Sequence, residues 1–284
     1  MRFAIGAPNV GDYGDPRLLL ELGVAAEQAG WDGFFVWDHL VYRDPQAFVA
    51  DPWVAIAAVA SRTERIRLGV MVCALARRRP HKVARETASL DLLSEGRLVF
   101  GAGLGSLAEE EFAAFGENPD SRVRAAKLDE GLDVLNGLWS GQPFDYRGDY
   151  TTVAHASFVP RPIQQPRIPV WIGGRWPARP PFRRAARWDG VFPTHRDVGH
   201  AETMTPDQLA EIVTFTRTHR ERSAGPIDVV IEGQTDGRDP AADRHRIEPY
   251  EAVGLTWWVE KLDWFRAPLT VMRRRIEAGP PGGA

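Results

Sequence analysis

The chain has 284 residues, 44% hydrophobic and 26% charged, enough for one large buried core with an ordinary globular balance. A formal net charge of -3 gives no general electrostatic pull toward nucleic acid or an anionic membrane. The lone cysteine, Cys73, excludes an internal disulfide framework and a cysteine-rich zinc site.

The amino terminus, MRFAIGAPNV, lacks the basic-then-apolar layout of a secretion signal. No apolar run reaches the roughly 18 residues that span a bilayer, so a cytoplasmic protein is expected. From there, short β-type apolar segments alternate with longer segments of helical period. In chain order the strand candidates are Arg2–Pro8, Gly33–His39, Ile66–Val72, Leu98–Gly105, Pro169–Gly174, Gly190–His195, Ile227–Gly233 and Leu255–Leu262, each followed by a stretch that suits a helix. Asp15-Pro16 opens the first helix, Asp51-Pro52 the second and Thr205-Pro206 the sixth, each a capping residue before a proline at the first helical position. Gly30, Gly96 and Gly254 stand where helices should stop. Eight βα units in roughly 250 residues is the rhythm of an α/β fold of TIM-barrel type; an open doubly wound sheet usually has fewer strands. The expectation is a single (β/α)8 barrel domain over residues 1–278. Between Trp139 and Val170 the run GQPFDYRGDYTTVAHASFVPRPIQQPRIP loses the helical period. It reads as an excursion over about 141–168, between the fourth helix and the fifth strand, forming a small hairpin over one rim. Gly279–Ala284, GPPGGA, reads as a disordered tail.

In such a barrel the active site lies at the carboxyl ends of the strands. Reactive residues there are Asn9, Asp38 and His39, Met71 to Cys73, Gly103 to Ser106, Gly173 to Arg175, His195 and Arg196, Glu232, and Glu260 with Lys261. Alternation lets at most one of Asp38 and His39 point into the barrel mouth. A histidine there serves as proton donor or acceptor, or else fixes its loop by a hydrogen bond. Gly101-Ala-Gly103-Leu-Gly105 lets backbone N–H groups approach a phosphate or a planar ring, or only permits close packing. The acidic run Glu109-Glu110-Glu111 behind it opposes an anion. Ile172-Gly173-Gly174-Arg175, with Arg183, Arg184 and Arg187 beyond, is the better phosphate candidate, unless those arginines form a solvated helix face. Cys73 reads as a buried small hydrophobe. His155, His200 and His245 read as loop or surface residues, and one of Trp257 and Trp258 must face the barrel.

The stretches AEQAGWDGFFVWDHL, DPWVAIAAVASRTERIRLGVMV, HKVARETASLDLLSEGRLVFGAGLGS with EEEFAAFG after it, and PRPIQQPRIPVWIGG together resemble the luciferase-like monooxygenase superfamily over nearly the whole chain. The resemblance implies a flavin or deazaflavin oxidoreductase acting on a small organic substrate by hydride transfer or monooxygenation. It makes His39 the proton donor or acceptor beside the ring and places Asp38 against the cofactor. It also implies a non-prolyl cis peptide joining Met71 to Val72 behind the ring, and sets Gly173 and Gly174 at the ribityl phosphate end. Gly103, Ser106 and Arg175 complete the expected cofactor set. The Asp38-His39 pair favours the deazaflavin coenzyme F420 over FMN. Two departures stand out: Ser106 occupies the place of a glutamate in deazaflavin-dependent sugar-phosphate dehydrogenases, and Ala74 that of a small hydroxylated residue. Family members commonly dimerise through helices flanking the second to fourth strands, and WVAIAAVA suits such a homodimer. A metal-dependent barrel hydrolase is the competing class, but the first strand has no H-x-H and no metal site is expected. A cofactor-binding member without turnover is the other.

Overall fold

The computed structural model describes residues 1–44, 46–221 and 224–282. Its strands are β1 (Arg2–Ala7), β2 (Gly33–Val36), β3 (Arg67–Ala74), β4 (Leu98–Gly103), β5 (Phe144–Arg147), β6 (Thr152–Ala156), β7 (Val170–Trp176), β8 (Gly190–His195), β9 (Asp228–Gly233) and β10 (Trp257–Lys261). Eight of them close a parallel barrel in the order β1-β2-β3-β4-β7-β8-β9-β10, and β5 and β6 form a separate antiparallel pair. The helices are α1 (Pro16–Gln28), α2 (Pro52–Ala60), α3 (Pro80–Leu93), α4 (Ala108–Glu111), α5 (Ser121–Trp139), α6 (Arg179–Ala185), α7 (Pro206–Thr218), α8 (Pro240–Ala252) and α9 (Leu269–Glu277).

Each of the eight expected strands is present, within a few residues of its expected ends. The helix starts follow the capping logic. The Asp15 and Asp51 carboxylates accept the N–H groups of Arg17 and Val54, and Thr205 and Gln208 form a reciprocal capping box. Gly30, Gly96 and Gly254 all take positive φ, the left-handed turn that lets the chain leave a helix.

Strand alternation divides the side chains into two sets. Ala4, Phe35, Met71, Val99, Trp171, Phe192, Val230, Trp257 and Val259 fill the barrel interior, where the rings of Phe35, Trp171 and Trp257 meet at centroid distances of 5.3 to 6.0 Å. Their strand neighbours, such as Ile5, Phe34, Val70, Phe100, Ile172 and Ile231, face outward into the larger core under the helices. Trp257 is the inward member of the tryptophan pair. It sits level with Arg2 at the amino-terminal end, far from the mouth.

The hairpin excursion does not cover the mouth. Its tip is held along α5 by Glu130, whose carboxylate accepts the N–H groups of Asp149, Tyr150 and Thr151. The chain then returns beneath the barrel, where Gln164 donates to Asp91 and to the carbonyl of Leu98 at the start of β4. Of the tail, Gly283 and Ala284 lie outside the described residues, while Pro281 is buried.

One buried guanidinium ties the amino-terminal ends of β3 and β4 to α2. Arg97 donates to the carbonyls of Ala60, Thr63, Ile66 and Ser94 and to the Thr63 hydroxyl, at 2.7 to 3.1 Å. Replacing it by methionine strands these acceptors, so Arg97→Met should cost roughly 3 kcal/mol. A thermal midpoint equal to that of the unaltered chain would show the guanidinium to be dispensable.

Candidate active site

The loop after β2 is built from the strand beside it. Asn9, fully buried just past β1, accepts the N–H of His39 and donates to the carbonyls of His39 and Ala50. This fixes the backbone of His39 at the carboxyl-end mouth. Its ring is set by Glu111, a fully buried residue at the end of α4, whose Oε1 lies 3.0 Å from Nδ1. Glu111 also accepts the N–H of Leu40 and receives Arg77 on its other oxygen, at 2.9 Å. With these donors converging, Glu111 works as an acceptor, so Nδ1 carries the proton and Nε2 is the nitrogen left to exchange one. The His39 side chain is 13% exposed, which leaves it reachable from the mouth.

Asp38 faces the other way. Its buried carboxylate accepts from Ala74 N and from Arg77 and Arg78, at 2.7 to 3.4 Å. Burial alone would raise its pKa, but the guanidiniums of Arg78 and Arg77, with hydrogen bonds from Arg78 and Ala74, more than reverse this and hold it below the usual carboxylate range. Arg77 therefore bridges two buried acids, Asp38 after β2 and Glu111 after β4.

The floor of the mouth lies between β4 and β7. The Met71-Val72 peptide is cis, and Val72 is wedged between two glycines. A Cβ at Gly103 would stand 2.5 Å from Val72 Cγ2, and one at Gly173 would stand 2.9 Å from Val72 Cγ1. Side chains are thus kept off the floor on both sides of Val72.

The facing wall is aromatic and charged. Trp37 stands at centroid distances of 6.1 Å from His39, 5.6 Å from His200 and 6.5 Å from Trp264, and Tyr42 is 4.8 Å from His39. Lys261 points in from β10, 3.7 Å from Glu232, 3.8 Å from Asp263 and 2.7 Å from the His200 carbonyl. Burial and the Lys261 ammonium hold His200 below the ordinary imidazole value, against the pull of Asp263 and Glu232. Glu260, on the outer side of β10, is spent on Thr235, Trp258, Arg266 and Arg275. Among the described residues no group of three His, Cys, Asp or Glu is arranged to hold a metal ion.

Comparison with known proteins fits this geometry to a family. Residues 1–249 match the sequence pattern of the luciferase-like monooxygenases. The chain belongs to the luciferase-like monooxygenase family. Among curated relatives of this family, an F420-dependent glucose-6-phosphate dehydrogenase of Intrasporangium calvum is 32% identical over 250 residues, covering 85% of this chain and 72% of the relative. The enzyme of the same name from Microbacterium testaceum is 35% identical over 167 residues, covering 57% of this chain, and the match spans only 48% of that relative's length. Among solved structures, the coenzyme F420-dependent tetrahydromethanopterin reductase of Methanopyrus kandleri superposes with a TM-score of 0.75 at 18% identity, covering 98% of this chain and 96% of the other. An F420-dependent secondary alcohol dehydrogenase gives 0.68 at 21% identity, covering 99% and 91%. These structural likenesses establish the shared barrel.

Within this luciferase-like barrel the expected site residues fall into two groups. His39, Met71, Val72, Gly103 and Gly173 surround one mouth. Asp38 is turned into the arginine network, and Gly174 abuts Pro181, where a Cβ would come within 2.5 Å. Ser106 and Arg175 are exposed, with Arg175 donating to the carbonyl of Arg196. The arginines after β7 are not a free cluster, because Arg184 and Arg187 pair with Asp129 of α5 and Arg179 stacks on Trp176 and Phe215. Cys73 is buried, and burial together with the nearby Asp38 charge pushes its thiol up. His200, read as a surface residue, is half-buried at the mouth. Glu111 and Arg77 were not anticipated. The one available signal was the third acid of the Glu109–Glu111 run, which directly precedes the buried Phe112.

The depressed Asp38 pKa fixes the sign of an acid effect. Its contribution is present above the unfolded carboxylate value of about 3.9 and disappears as pH falls through the lower folded value. Asp38→Asn should cost about 3–5 kcal/mol at neutral pH by leaving Arg77 and Arg78 undercompensated, and should flatten the loss of stability at acid pH. Thermal denaturation of both proteins from acid to neutral pH reads this directly; equal stability at pH 7 would remove Asp38 from the network.

Proposed function

We propose that the chain is an F420-dependent oxidoreductase that moves hydride to or from an alcohol or carbonyl substrate, with His39 as its proton acceptor and donor. The observation that carries this reading is the Glu111–His39 pair, which presents Nε2 at a mouth with a glycine-flanked floor. A flat heterocycle would lie over the Val72 floor, from which the two glycines keep side chains away, with Trp37 on the wall beside His39. Met71, Val72, Gly103 and Gly173 would hold the ring, and Gly174, Ser106 and Arg175 would lie toward its polar tail. Bound deazaflavin supplies two-electron hydride chemistry. The protein supplies proton handling: Nε2 takes the hydroxyl proton of an alcohol during oxidation and returns one to the carbonyl oxygen in reduction. Glu111 keeps the tautomer that permits this and stabilises the imidazolium formed. The curated relatives named above act with F420 on glucose 6-phosphate, which supports the cofactor over FMN.

His39→Ala should leave F420 affinity within a few-fold and lower turnover by at least about 100-fold; unchanged turnover would remove His39 from the chemistry. Titration with F420 and with FMN, each followed optically, tests the cofactor, and saturable binding of FMN alone would reverse the assignment. Intact F420 binding without reaction across varied alcohols and carbonyls would point to a non-catalytic member.

We also infer a cytoplasmic homodimer formed through α2, a wholly apolar helix on which Val54 is 63% exposed. No helix among the described residues is long and apolar enough to cross a membrane. A monomeric mass at micromolar concentration would exclude the dimer.

A further inference from the structure

The amino-terminal face, opposite the mouth, holds a cavity of about 400 Å³ lined by Arg2, Gly30, Trp31, Asp32, Arg65 and Arg67. Arg2 and Arg67 are the first residues of β1 and β3, paired in register with Trp257 and Gly33. Both therefore stand at the bottom of the barrel on rows that lead to its interior, with the Arg2 guanidinium 5.2 Å from the Trp257 ring centroid. Arg67 donates to the Gly96 carbonyl and to Gln164, while its Nε is buried without a hydrogen-bond partner. Arg65 donates to the carbonyl of Glu27. Among the described residues, none of the three guanidiniums has a carboxylate oxygen within 4.0 Å.

The nearby acids are already engaged. Asp32 accepts the Phe3 N–H, Asp228 the Thr256 hydroxyl and Asp91 the Gln164 amide. The Glu27 carboxylate accepts the N–H groups of Glu64, Arg65 and Ile66. These carboxylates are held by other donors, so the three guanidiniums keep N–H groups for a further acceptor in the cavity. Burial and the Arg2 charge together hold Arg67 below the ordinary guanidinium value, despite Asp228 and Asp91.

We propose that this cavity binds a phosphate-type oxyanion, either the free ion or a small phosphate monoester, at a site separate from the barrel mouth. Guanidiniums pair with phosphate oxygens through charge-assisted hydrogen bonds, and a planar fork suits that geometry better than an ammonium. The cavity is larger than inorganic phosphate needs, so the body of an ester has room beside Trp31 and Gly30.

Calorimetric titration of the cofactor-free chain at fixed ionic strength, with inorganic phosphate and separately with glycerol 3-phosphate, tests the site. One anion per chain should bind with a Kd below about 1 mM. Arg2→Gln and Arg65→Gln change exposed residues and leave the fold intact; each should weaken binding at least about ten-fold. Lys82→Gln, on the exposed face of α3, should leave it unchanged. Tighter binding of the ester identifies a phosphorylated metabolite as the ligand, and equal binding identifies the free ion. No saturable heat with either anion, or affinity untouched by both Arg2→Gln and Arg65→Gln, overturns the proposal.

Discussion

The mouth of this barrel is organised by a single guanidinium. Arg77 reaches Asp38 from one side and Glu111 from the other, joining the loops after β2, β3 and β4 through charges that water cannot screen. Isolated, either acid would be expensive to bury; paired, each becomes a rigid hydrogen-bonding platform. Asp38 uses its platform to fix Ala74 and Arg78, at the end of the strand that carries the Val72 floor. Glu111 uses the other to set the His39 ring. The position of the candidate acid–base group and the shape of the floor thus derive from one network.

The two faces of the barrel differ in how their cations are paired. At the carboxyl-end mouth the cations Arg77, Arg78 and Lys261 all have acidic partners. At the amino-terminal end Arg167 pairs with Asp189, Arg97 locks carbonyls, and Arg2, Arg65 and Arg67 stand without a carboxylate oxygen within 4.0 Å. The interior between them is an apolar plug of Phe35, Trp171 and Trp257, so the two ends do not communicate through solvent.

Much of this architecture is legible in the sequence. Strand positions follow from runs of short apolar residues, and helix starts from Asp15, Asp51 and Thr205, because local patterning and capping chemistry are written in neighbouring residues. The cis link at Met71 and the placement of His39 came through resemblance. What escaped was long-range. Glu111 is 72 residues from His39, and it enters the site because a four-residue helix, entered through Leu107 at positive φ, turns the last of three adjacent acids inward. No period exists in so short an element, so only its place before Phe112 separates Glu111 from Glu109 and Glu110. The arginines after Gly174 misled for a related reason: their partner Asp129 lies on α5, more than fifty residues earlier.

The course of the β5-β6 hairpin bears on how the barrel could be altered. The excursion that carries this hairpin is anchored on the flank of α5 and ends beneath the barrel, so it neither roofs the candidate site nor shapes its entrance. That task falls to the aromatic loops after β2 and β10, bearing Tyr42, Trp264 and Phe265. Diversification aimed at a new substrate belongs in those two loops, while the hairpin tip is the natural attachment point for a tag or fused domain.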